Sequence, residues 1–109
     1  MNDTYRSGYV YISNVYAGIL KETDVGYSFQ YDKEYLRDPT AASVSLTLPI
    51  QENAYLSKTL FPFFDGLIPE GWLLEVVIHN WKISYNDRFG ILLVACKDCI
   101  GNVTIKTNY

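Results

Sequence analysis

Cys96 and Cys99 stand in the stretch CKDC, a C-x-x-C spacing that brings two thiols within reach of one another. Such a pair can carry thiol–disulfide chemistry or supply half of a tetrahedral zinc site. A redox pair ordinarily opens a helix, whose dipole lowers a thiol pKa, whereas this pair follows a helical pattern. A zinc site needs two further ligands, and the chain offers one His and no third Cys. The expectation is two reduced thiols, each serving as a small apolar side chain. His79 has no Cys at catalytic spacing, and no G-x-S-x-G elbow accompanies it, so it is expected on a helix surface. Asp65, Glu70 and Glu75 could form an acid/base pair, but nothing completes a site around them, and solvated loop and helix positions account for all three.

Phosphate-binding loops are also missing. Neither G-x-x-x-x-G-K-[ST] nor G-x-G-x-x-G occurs. The tripeptides Phe64–Gly66 and Arg88–Gly90 have the wrong order or residue for the D-F-G of kinases, and no H-R-D-type loop accompanies them. No catalytic residue, cofactor site or metal site is expected, and the chain on its own is expected not to be an enzyme.

The densest chemistry lies in FFDGLIPEGWLLEVVIHNW, residues 63–81. Pro69 is expected at the first helical position, with Glu70 favourably placed for the helix dipole, and the helix runs to about Trp81. At about 100° per residue, Leu74, Val77, Ile78 and Trp81 share one face and make the natural core stripe. Trp72 lies nearly opposite, in line with Glu75, Val76 and His79. Trp81 is therefore expected in the core. Trp72 is expected either as a protein-interface anchor or folded back over the preceding LFPFF segment.

The elements that must position this stretch read as α+β: an antiparallel meander or small mixed sheet of about five strands, two main helices and a short helical turn. In YVYIS, Val10 and Ile12 alternate with Tyr9 and Tyr11, the period of a strand. A turn at Asn14 leads to an extended run from Tyr16 to Glu22, with Gly18 marking a bulge. Thr23–Gly26 forms a short hairpin loop, with Gly26 in a left-handed position. Tyr27, Phe29 and Tyr31 then share a face opposite Ser28 and Gln30. Asp32 caps one helical turn that ends before Pro39. Residues 43–50, SVSLTLPI, alternate and are expected as a strand ended by Pro49. Ser84 and Asp87 have capping-box spacing before a helix carrying Phe89, Leu92, Leu93 and Cys96. A last strand follows a turn at Gly101.

Composition sets the limits on function. The 109 residues fit one domain spanning 1–109, and a hydrophobic share of 49% with ten tyrosines argues against disorder. The net charge of −3, with both signs interspersed, leaves no basic footprint for direct nucleic-acid binding. The polar start MNDTYRSGY lacks the pattern of a signal peptide, and apolar runs such as ILLVAC are too short to span a membrane. A cytoplasmic protein is expected.

Six stretches occur in order and cover residues 9 to 106: VYISNVYAG, YSFQYDKEYL, SVSLTLPI, LFPFFDGLIPEGW, NDRFGILLVA and KDCIGNVTI. Their succession resembles the N-terminal subdomain of HipA-type serine/threonine kinases, with FFDGLIPEGW the most specific element. Val15 stands where that family usually has the Gly of an Asn-Gly turn, which implies a wider first hairpin. The extent of the chain resembles the small standalone HipS subunits of tripartite HipB-HipS-HipT toxin–antitoxin systems. The resemblance implies a non-catalytic protein that docks on a HipT-like kinase toxin, with a HipB-like DNA-binding protein in the same complex. It implies neutralisation of the kinase by obstruction of its active site, or else completion of the kinase fold while HipB neutralises. The interface residues expected are Trp72, Phe64, Asp65, Gly66, Pro69, Glu70, Gly71, Glu75 and His79, with Trp72 as anchor and the Asp-Gly and Pro-Glu-Gly residues shaping its loop.

Overall fold

The computed structural model describes residues 5–96 and 102–107. Three strands form the expected meander: β1 (Ser7–Ile12), β2 (Val15–Thr23) and β3 (Gly26–Tyr31). The turn between β1 and β2 is not widened. Ile12 pairs directly with Val15, and Ser13 and Asn14 both take positive φ, 49° and 68°. That is the two-residue turn whose twist matches flanking strands, and Asn tolerates it without a following Gly. The bulge expected near Gly18 is present: Val10 faces Gly18 and Tyr11 faces Tyr16, so Ala17 is the extra residue. Between β2 and β3 the two-residue loop needs Gly26. Its φ is 149°, and a Cβ there would lie 2.1 Å from the Ser57 carbonyl oxygen.

Asp32 caps α1 (Lys33–Arg37), its carboxylate accepting from the amides of Glu34 and Tyr35. The segment 43–50 departs from expectation. It forms a tight turn closed by a single antiparallel bridge between Ser45 and Leu48, not a strand. Two local competitors explain this. The Ser45 hydroxyl accepts from the Thr47 amide, and the buried Tyr31 hydroxyl accepts from the Val44 amide and donates to the Leu48 carbonyl. Val44 and Leu48 are buried while Leu46 projects into solvent. The fourth strand is β4 (Tyr55–Ser57) instead, followed by a short helix α2 (Pro62–Asp65) that the periodicity does not announce.

Helix α3 (Gly71–Trp81) and helix α4 (Arg88–Ala95) precede the closing strand β5 (Val103–Lys106). The α4 cap is Asp87, which accepts from the Gly90 amide at 3.1 Å; the Ser84 hydroxyl accepts from the Asn86 amide in the preceding turn instead. The expected turn at Gly101 lies outside the described residues. The sheet order is β4-β3-β2-β1-β5 with every neighbouring pair antiparallel. The fold is α+β.

Period-2 alternation gives the sheet one covered face, carrying Val10, Ile12, Leu20, Phe29, Tyr31, Val103 and Ile105. Helix α4 lies on it with Phe89, Ile91, Leu92 and Leu93 buried, and α2 adds Phe64. Rings meet edge-on or tilted across this core: Phe29 with Phe64 at 5.4 Å and Tyr27 with Phe89 at 5.6 Å between centroids. Arg6 braces the layers. It reaches Glu22 on β2 at 2.9 Å and the Asp87 cap of α4 at 2.8 Å. The hydrogen bonds from Arg6 hold both carboxylates below their usual range, against the opposing effect of burial, and push the guanidinium pKa up.

Candidate functional site

The stretch 61–81 is built upward from one buried ring. Phe64 is fully buried against Phe29, Phe61 and Phe63. Pro62 opens α2, where its missing amide costs nothing, and Gly66 closes it by donating to the Pro62 carbonyl at 2.9 Å. Turn bonds from Leu67 to Phe64 and from Ile68 to Asp65 carry the chain on, and Ile68 is buried. Asp65 is half-exposed and accepts from Arg88 Nε at 2.8 Å, which raises the Arg88 pKa and ties this loop to α4.

Helix α3 begins later than expected. Pro69 precedes the helix, Glu70 takes the cap position without a side-chain cap bond, and Gly71 opens the helix with φ of 64°. The left-handed backbone at Gly71 re-aims the chain, so Pro69 cannot be the first helical residue. The helix ends at Lys82, also left-handed, whose amide bonds to the Ile78 carbonyl.

No residue of α3 is buried. Leu74, Val77 and Ile78 pack against the core as the stripe requires, but each stays half-buried. Trp81 shares their direction, yet is 55% exposed. The expectation of a core Trp81 is therefore corrected: a wheel angle gives a direction, and the last turn of the helix is left uncovered there. Trp72 is 76% exposed, so it does not fold back over LFPFF. Leu73 and Val76 stand exposed beside it, at 46% and 40%.

Of the residues expected at an interface, Trp72, Glu70, Gly71, Glu75, His79 and Gly66 are exposed, and Asp65 and Pro69 are half-buried. Phe64 is the exception. At 0% exposure it supports the loop from beneath and presents nothing to a partner. Leu73, Val76 and Trp81 extend the exposed apolar surface beyond the expected set; the signal available for them was the large apolar share of the helix, in which only Glu75, His79 and Asn80 are polar. Arg6 and its pairing with Glu22 and Asp87 were also beyond sequence reasoning, since Arg6 and Asp87 are 81 residues apart. Cys96 is buried and disulfide-bonded, not reduced as expected, and Cys99 lies outside the described residues. Among the described residues, no three His, Cys, Asp or Glu side chains group together as metal ligands, and no helix is long and apolar enough to cross a membrane.

A helix apolar on nearly all sides is ordinarily a buried helix. Here a mostly apolar helix lies at the surface without a side-chain N-cap, with Trp72 exposed at its start and Trp81 half-exposed at its end, as an interaction surface would. Comparison with known proteins agrees with the fold that presents it. The family described as the HipA N-terminal domain matches residues 8–106. A solved structure described as the N-terminal domain of HipA toxin superposes with a TM-score of 0.75 at 30% identity, covering 100% of this chain and 98% of that one. A protein of uncharacterised function from Haemophilus influenzae is 36% identical over 106 residues, 97% of this chain and 96% of its own length. The chain belongs to the HipA N-terminal domain family. That domain is a non-catalytic subdomain, and membership gives the chain a toxin–antitoxin context.

Proposed function

We propose that this chain is a HipS-like binding protein that docks on a HipT-like serine/threonine kinase toxin and neutralises it in a cytoplasmic complex that also holds a HipB-like protein. The observation that carries this reading is α3, an apolar helix with no buried residue and Trp72 at its exposed start. Trp72 enters the kinase active-site cleft, and Leu73 and Val76 widen the contact around it. Asp65, Gly66, Pro69, Glu70 and Gly71 hold the loop and helix start in place, while Glu75 and His79 form a polar rim. An indole buried at the centre of an interface contributes on the order of 2 kcal/mol, more than tenfold in affinity. Obstruction follows because a filled cleft can neither close nor admit substrate.

The test is the phosphorylation rate of a purified HipT-like kinase titrated with this chain and with Trp72→Ala. Stoichiometric loss of activity with the wild type, and at least a tenfold weaker effect of the variant, supports the anchor role. Full kinase activity in a complex that still co-purifies would identify a structural subunit that completes the kinase fold. Equal inhibition by Trp72→Ala would remove Trp72 from the mechanism.

A further inference from the structure

A second feature of the surface lies apart from the α3 ridge. A cleft of about 520 Å³ opens between the β3–β4 pair and helices α2 and α4, lined by Tyr27, Lys58, Thr59, Asn86 and Arg88 together with Asp65. It is locally cationic in a chain whose net charge is −3. Arg88 gives its Nε to Asp65 at 2.8 Å, and its two terminal nitrogens have no partner among the described residues. Nor have the Lys58 ammonium, the Tyr27 hydroxyl, the Thr59 hydroxyl or the Asn86 side-chain amide. Five side chains thus bring unused donors to one concave site.

The carboxylates nearby cancel only part of this charge. Glu22 and Asp87, whose fields reach Tyr27, are both engaged by Arg6. Asp65 occupies one edge of the Arg88 guanidinium and leaves the outer fork open; Glu70 also acts on Arg88, but only through its field. A guanidinium held through its Nε, with both terminal nitrogens unpartnered, can take an oxyanion through two parallel hydrogen bonds.

We infer that this cleft is a receptor for a single oxyanion, a carboxylate or a phosphate monoester, held between the Lys58 ammonium and the outer fork of Arg88 with the Tyr27 and Thr59 hydroxyls as further donors. The site belongs to this chain alone and does not depend on the kinase-docking reading. Its immediate neighbour is a smaller apolar hollow of about 190 Å³ that shares Tyr27 and Lys58 and is bordered by the exposed Val25 and Leu56. An anionic side chain followed by an apolar one would therefore fill both.

The experiment is an amide-resolved NMR titration of the full chain with inorganic phosphate and, separately, with acetate, at an ionic strength matched by sodium chloride. Saturable shifts confined to the backbone around Lys58, Thr59, Asn86 and Arg88 are expected, together with at least fivefold weaker binding in Lys58→Gln and in Arg88→Lys. Both substitutions fall on solvent-reached side chains, and the unchanged spectrum elsewhere checks that the variants fold. Saturation by both probes supports a general oxyanion receptor; saturation by one alone supports it and names its source. Shifts no different from those in sodium chloride, or binding unaffected by either substitution, would overturn the inference.

Discussion

Arg6 ties the sheet to the cap of α4 through charge. Its guanidinium spans Glu22 and the Asp87 cap, and its side chain is about one-third exposed. Arg6→Met leaves two partly buried carboxylates facing each other without a cation. Because solvent still reaches them, the expected cost is about 2 kcal/mol, below the value for a fully buried pair. Both carboxylates titrate lower in the folded chain than in the unfolded one. Their contribution is therefore complete above the unfolded pKa values and is lost as pH falls through the folded ones, so stability declines below about pH 5. Thermal unfolding from pH 7 to pH 3 checks this: the wild type loses Tm on acidification, and Arg6→Met starts lower and loses less.

Two glycines at element ends separate steric need from conformational need. Gly26 and Gly71 both have positive φ, but a Cβ at Gly26 meets the β4 backbone, whereas one at Gly71 meets nothing within 4 Å. Gly26→Ala is expected to cost about 3 kcal/mol, since left-handed strain and overpacking add. Gly71→Ala pays the conformational cost alone, about 1 kcal/mol. Urea unfolding of the two variants reads the difference directly, and equal costs would mean that the β3–β4 approach yields freely. The same elements show what was legible in the residue pattern. β1 to β3, α1 and α4 follow local alternation, periodicity and capping chemistry, all of which act within a few residues. Segment 43–50 has a strand-like alternation too, but its fate was decided by the Tyr31 hydroxyl, which removes the Val44 amide from any ladder.

At the scale of the molecule, the fold separates residues that hold it together from residues it displays. Phe64 lies at the centre of the ring cluster and Trp72 stands in solvent eight positions later. Phe64→Ala is expected to cost about 4 kcal/mol, a large part of the stability of a domain this size. Trp72→Ala is expected to change stability by no more than about 0.5 kcal/mol. Chemical unfolding of both variants tests the division, and a large loss for Trp72→Ala would mean that α3 is braced by its indole after all.

The residue pattern by itself determined the α+β class, the meander, two helices and the side of the first of them on which Trp72 lies, because alternation and helical period are properties of neighbouring positions; that Trp72 stands in solvent and not over LFPFF was decided by the tertiary structure. It also carried the family, through motif stretches that recur in order along nearly the whole chain. Only the tertiary structure decided that Trp81 stays half-uncovered, that Phe64 is core, that β4 and not 43–50 completes the sheet, and that Arg6, Glu22 and Asp87 meet. Each of these depends on what stands across a gap in space. A stripe on a helix specifies which way a side chain points, but burial needs a second surface there, and a charge pair needs two distant segments brought within 3 Å.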